Sequence, residues 1–193
     1  MKWLLPGLLA LALAPSAARA EAPVFAITPA NSTVTFYVKA SIPLHGRFDS
    51  WKSTLTFTSP DVSTAVLAIK IDAGSVHTGS AIKDGTLKGG QFFDVKNHPD
   101  ISFRSTRISQ TGPNTFTVAG NLTIRGVSKP QTVVLTTTGR GTANGEIKGT
   151  MSFNRKDFGM SGGVPLVTIA DRVDVSVDLR AKRVSGPPVA TKS

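Results

Sequence analysis

The sequence predicts an all-β protein, an antiparallel meander of about eight strands able to close into a barrel. Three observations carry that expectation: apolar and polar residues alternate along most of the chain, turn-forming residues separate the alternating runs, and only one stretch departs toward helical spacing. With 193 residues, 40% hydrophobic and 18% charged, the chain is large enough to bury a core of its own as one domain.

Strict period-two alternation marks a strand with one buried face. In "STVTFYVK" Val34, Phe36 and Val38 share a face opposite Thr33, Thr35, Tyr37 and Lys39. "TLTFT" pairs Leu55 with Phe57, "VLAIKID" aligns Leu67, Ile69 and Ile71, and "DISFRS" aligns Ile101 and Phe103. "NTFTVAGNLTIR" sets Phe116, Val118, Gly120, Leu122 and Ile124 on one side, with Gly120 leaving room there. "EIKGTMSFNRK" does so with Ile147, Gly149, Met151 and Phe153, and "RVDVSVDLRAK" with Val173, Val175, Val177 and Leu179. Turn signals lie between the runs: "PLHG", "SPDVS", "TGPN", "GVSKP", "TANG" and "GMSGG". A closed meander removes the exposed edges of an open sheet.

One stretch, "TGSAIKDGTLKGGQFF" from Thr78 to Phe93, spaces Ile82 and Leu87 nearly as a helix would and ends in glycines. It predicts a short helix and loop across one end of the barrel, with Phe92 and Phe93 packed inward.

The first twenty residues, "MKWLLPGLLALALAPSAARA", combine Lys2, an apolar run from Leu4 to Ala14 and the small-x-small pattern Ala18-Arg19-Ala20, as a cleaved secretory leader requires. Pro6 and Pro15 leave the run short of the roughly 20 residues a membrane-spanning helix needs. The expected organisation is a leader at 1–20, a barrel domain at 21–184 and a proline-containing disordered tail at 185–193. The absence of cysteine excludes thiolate catalysis, thiolate metal sites and a cysteine-linked lipid. The net charge is +10, or +8 once Lys2 and Arg19 leave with the leader. Its lysines and arginines are scattered singly, which reads as a solvated basic surface able to touch anionic lipid headgroups, not as a nucleic-acid interface.

Four segments in order, "HTGSAIKDGTLKGGQFFDVKNHPDISFRS", "GNLTIRGVSKP", "FNRKDFGM" and "IADRVDVSVDL", carry a resemblance over about Phe25 to Arg183. The chain resembles the YceI-like family of polyisoprenoid-binding proteins. The resemblance implies a lipocalin-like eight-stranded barrel in the bacterial periplasm that holds a long apolar chain, such as a polyprenyl lipid, an isoprenoid quinone or a fatty amide. No cofactor beyond such a bound lipid or quinone is implied. The partners expected are the apolar ligand and a membrane surface, with the protein a monomer or homodimer.

An eight-stranded barrel either fills with its own side chains or holds one small ligand. The residues expected to face the ligand are Val34, Phe36, Val38, Phe57, Ile69, Ile71, Phe92, Phe93 and Ile101, continuing with Phe103, Phe116, Val118, Leu122, Ile124, Met151, Phe153, Val175 and Val177. Arg155 continues the inward parity of Met151 and Phe153, and a buried charge needs a partner, for which Asp84 and Asp157 are the candidates. Two roles stay open for it: an ion pair closing the barrel's end, or contact with a ligand headgroup at the mouth.

Other motifs carry less. "GMSGG" has the letters of a nucleophile elbow without a following helix, and "DFG" at Asp157 lacks every other part of a kinase. His45, His77 and His98 are too far apart in sequence for a compact metal motif, and the sequons at Asn31 and Asn121 are short matches. The competing functional classes are an accessory enzyme acting on a bound quinone or amide, and a stress-related protein with a solid core.

Overall fold

One-sided strands must lay their apolar faces together, and in this chain they do so around a ring. The computed structural model describes residues 21–139 and 143–191, so the expected leader at 1–20 lies outside the described residues. Its elements are β1 Val24–Ala40, β2 Leu44–Phe48, β3 Trp51–Thr56, β4 Val66–Asp72, β5 Val76–His77, α1 Ala81–Lys88, β6 Asp100–Gln110, β7 Thr115–Ile124, β8 Val127–Thr138, β9 Asn144–Asn154 and β10 Ile169–Ser185. The ten strands form one antiparallel, strongly curled sheet in which β10 returns to pair with β1.

The difference between eight expected strands and ten observed lies at one corner. The paired run Arg47↔His77 and Phe48↔Val76 resumes, past a bend, as Trp51↔Ile71 through Thr56↔Val66. Across the bend Asp49 N–H donates to Ser75 O and Asp72 N–H to Ser50 O, at 3.2 and 3.0 Å. Thus β2 with β3 is one bent course, β4 with β5 another, and neighbours in sequence remain neighbours around the sheet. A second irregularity bends β1, where its register against β10 jumps between Thr28 and Thr33 and Asn31 takes a φ of 63°.

Two turn signals act differently from expectation. "PLHG" is not a reversal: Leu44 to Phe48 is strand, and Gly46 is there because the Phe36 ring lies on it, 2.2 Å from where a Cβ would sit. In "RGVSKP" the reversal is confined to Arg125 and Gly126, both at positive φ (52° and 73°) as a mirror-image two-residue hairpin demands. Val127 to Pro130 already pair with β7. Pro130 is tolerated because β8 joins β9 only from Val134 onward, leaving its other edge without a ladder to break.

The helix is shorter than the 78–93 stretch that suggested it. Ser80 caps α1 by accepting from Lys83 N–H, and Asp84 and Lys88 sit at the ends that favour their charges. Past Gly89 the chain folds under: Phe93 N–H donates to Leu87 O at 2.9 Å, and Leu87, Phe92 and Phe93 are all buried. At the other terminus, the described part of the tail expected to be disordered turns back on the barrel, with Ala190 N–H donating to Pro60 O at 2.7 Å. Pro188 and Val189 lie over the same apolar hollow as Phe57, which gives this end of the chain a surface to cover.

Candidate functional site

The inward faces do not meet in the middle. They enclose a cavity of about 390 Å³, within the range of small-molecule sites. The inward series of β10 shows its extent: Val173 is buried, Val175 and Val177 are only partly covered, and Leu179 has no exposure at all. Partly covered residues on an inward face border empty space, so the void spans Val175 and Val177 and shuts at Leu179.

Most of the residues expected to face a ligand border this void. β1 contributes Val34, Phe36 and Val38; β4 contributes Ile69 and Ile71; β6 contributes Ile101 and Phe103. Leu122 and Ile124 of β7, Met151 and Phe153 of β9, Val175 and Val177 of β10, and Phe92 and Phe93 after α1 complete the expected members. Three do not belong. Val118 is fully buried in solid packing, while Phe57 and Phe116 border a second hollow of about 150 Å³ toward the other end of the barrel. Leu67 and Leu135 border both spaces and stand between them. Gly120 does face inward, but the room it leaves is taken by the Phe103 ring, 2.5 Å from where a Cβ would be.

Several lining residues were not singled out from the sequence. Val133 and Leu135 of β8 were hidden because Val133, Val134 and Leu135 are consecutive apolar residues, which conceals the parity; Val134 points outward and is exposed. Phe48, Met160 and Ile42 lie in short or irregular segments that offer no period to read. The polar side chains at the lining are few: Lys83, Thr86, Ser102, Thr150 and Arg155.

Arg155 is buried, as its parity requires, but neither expected carboxylate is its partner. Its Nη1 donates to Met160 O at 2.6 Å and Gly162 O at 2.9 Å, and its Nε to Ala170 O at 3.2 Å. Its Nη2 lies 3.3 Å from Oδ1 of Asp171, whose other oxygen is 2.9 Å from Lys156 Nζ. Asp157 is exposed on the turn after β9. The guanidinium therefore ties the end of β9 to the 160–162 loop and the start of β10, and it also borders the void.

Asp84 serves the helix instead. Its carboxylate accepts from Thr78 N–H at 2.8 Å and Thr78 Oγ1 at 2.7 Å, with Nδ1 of His77 at 3.6 Å. Chiefly the Thr78 hydroxyl holds its carboxyl below the ordinary value of 3.8. A depressed carboxyl stabilises the fold above its unfolded pKa, and that contribution is lost as pH falls through the folded value. Thr78→Val is accordingly expected to lower Tm at neutral pH, with the gap from wild type narrowing as thermal melts are carried well below pH 3.8; a gap constant with pH would refute the linkage.

Among the described residues, the lining of the void holds no histidine and no carboxylate. Ser161 of "GMSGG" is exposed, and none of the three histidines borders the cavity. Among the described residues no three histidine, aspartate or glutamate side chains gather as a metal site requires.

Comparison with known proteins places this architecture. A UPF0312 protein of Pseudomonas savastanoi pv. phaseolicola is 30% identical over 140 residues, 70% of this chain and 72% of that protein. A second, from Pseudomonas putida, is 31% identical over the same shares. Among solved structures, Burkholderia cenocepacia BcnA superposes with a TM-score of 0.73 at 26% identity, over 80% of this chain and 99% of that one. A polyisoprenoid binding domain from Saccharophagus degradans, 14% identical, shares the fold with a TM-score of 0.63 over 83% and 99% of the two chains. With the YceI-like domain matched over residues 25–181, the chain belongs to the YceI-like family.

Proposed function

We propose that this protein sequesters or carries one long apolar ligand, a polyisoprenoid, an isoprenoid quinone or a fatty amide, inside its barrel in the periplasm, and performs no chemistry on it. The observation that carries this reading is the apolar void itself. A water-filled hollow with so few polar partners is unfavourable, whereas each methylene moved into it from water is worth about 0.8 kcal/mol. A hydrocarbon tail needs no directional contacts, and the lining offers almost none. The Saccharophagus degradans domain of the same fold, described as polyisoprenoid binding, supports the choice of ligand class. Export to the periplasm rests on the leader-like first twenty residues.

Native mass spectrometry of protein gently extracted from its own host tests the reading. The expected spectrum contains a lipid adduct at one per barrel, and delipidated protein takes up a polyprenol added in solution. Protein that carries no adduct and takes up neither a polyprenol nor a fatty amide would refute it.

A further inference from the structure

The cavity's lining reaches the surface at three connections. Ile42 lies between β1 and β2, Ile82 on the first turn of α1, and Val164 in the loop before β10; they are 64%, 84% and 40% exposed. The loop that carries Val164 also presents Leu166. Val164 and Val167 pair as an isolated bridge with Pro165 and Leu166 at its tip, and Leu166 is wholly exposed at a φ of 65°. Hydrogen bonds from Ser41 N–H to Thr168 O (3.0 Å) and from Thr168 N–H to Ser41 Oγ (3.1 Å) hold this tip beside Ile42.

A single exposed apolar residue is ordinary, but four around one opening form a patch. Leu166 is the telling member. A leucine in the left-handed region carries a backbone cost, and here no burial within the protein offsets it. Lys39 at the end of β1 and Lys83 beside Ile82 are exposed next to this patch, and neither is ion-paired among the described residues. Apolar side chains bordered by free lysines on a chain of net charge +10 are complementary to one surface: acyl chains beneath anionic headgroups.

We infer that this rim seats the barrel's mouth on an anionic phospholipid bilayer, with Ile42, Ile82 and Leu166 entering the acyl boundary and Lys39 and Lys83 at headgroup level. An apolar chain can then pass between bilayer and cavity without crossing water. That transfer rests on the uptake proposed above; the docking does not.

Sedimentation of the mature protein with phosphatidylglycerol–phosphatidylcholine vesicles tests the inference, using Leu166→Asp. Aspartate adopts the left-handed region more readily than leucine, so this variant is expected to keep or raise Tm. Wild type is expected to sediment with the anionic vesicles, and Leu166→Asp to bind at least tenfold more weakly. Val134→Asp, on the outward face of β8, is expected to bind as wild type does. Lys39→Glu should weaken binding to anionic vesicles while leaving any binding to phosphatidylcholine alone unchanged. Wild type that ignores anionic vesicles, or equal binding by Leu166→Asp and wild type, would overturn the docking. Vesicle binding with this pattern but no lipid adduct and no uptake of either a polyprenol or a fatty amide from solution would sustain the docking while refuting the proposed cargo.

Discussion

Replacing Arg155 with leucine is expected to destabilise the fold by about 3 kcal/mol or more, and to do so whether or not a ligand is bound. The leucine preserves an apolar contact with the cavity but leaves the carbonyls of Met160, Gly162 and Ala170 without their donor, and removes a cation from Asp171. Two of those hydrogen bonds are buried, where a stranded acceptor costs about 1–3 kcal/mol because water cannot replace its partner. Arg155→Lys should recover little, since a single ammonium cannot span acceptors fanned across one planar guanidinium. Denaturant unfolding of the ligand-free protein checks this. Loss of lipid retention with unchanged stability would mean that Arg155 serves the ligand's headgroup instead.

This residue also shows where sequence reading ends. Its burial was legible because Met151, Phe153 and Arg155 share a parity. Its partner was not, because Asp171 lies in β10, beyond a long loop, and only the pairing of Arg172 with Asn154 brings the start of β10 beside the end of β9. The same division holds elsewhere. Regular strands such as β1, β6, β7 and β10 announce their inward sets by alternation, a local property. The corner that splits two courses into four strands depends on Asp49 and Ser50 meeting Ser75 and Asp72 across the sheet, and no local pattern encodes that meeting. "PLHG" misled for a related reason: Gly46 answers a neighbouring ring, not a turn. The rim residues Ile42 and Leu166 sit outside any period, and Ile82, spaced with Leu87 as if on one helical face, is exposed while Leu87 is buried, so only their common position at one opening gives the three meaning.

Val175→Trp is expected to abolish lipid retention, weakening affinity by about 100-fold, roughly 2.8 kcal/mol, while leaving Tm unchanged or higher. Val175 is opposite Phe36 on one side and Met151 on the other, and its side chain borders the void. An indole there fills space that the ligand's tail would take and stacks against Phe36 instead of displacing packed atoms. The matched control is Val118→Trp on β7, elsewhere in the wall, where no space exists and the same added volume must strain the core. The two substitutions are alike in chemistry and opposite in expected effect, so the comparison isolates the cavity from the barrel that surrounds it. Native mass spectrometry and thermal melts read both quantities. A tryptophan at 175 that leaves the lipid adduct at one per barrel would place the ligand outside the void, and the carrier reading would fall even with the fold intact.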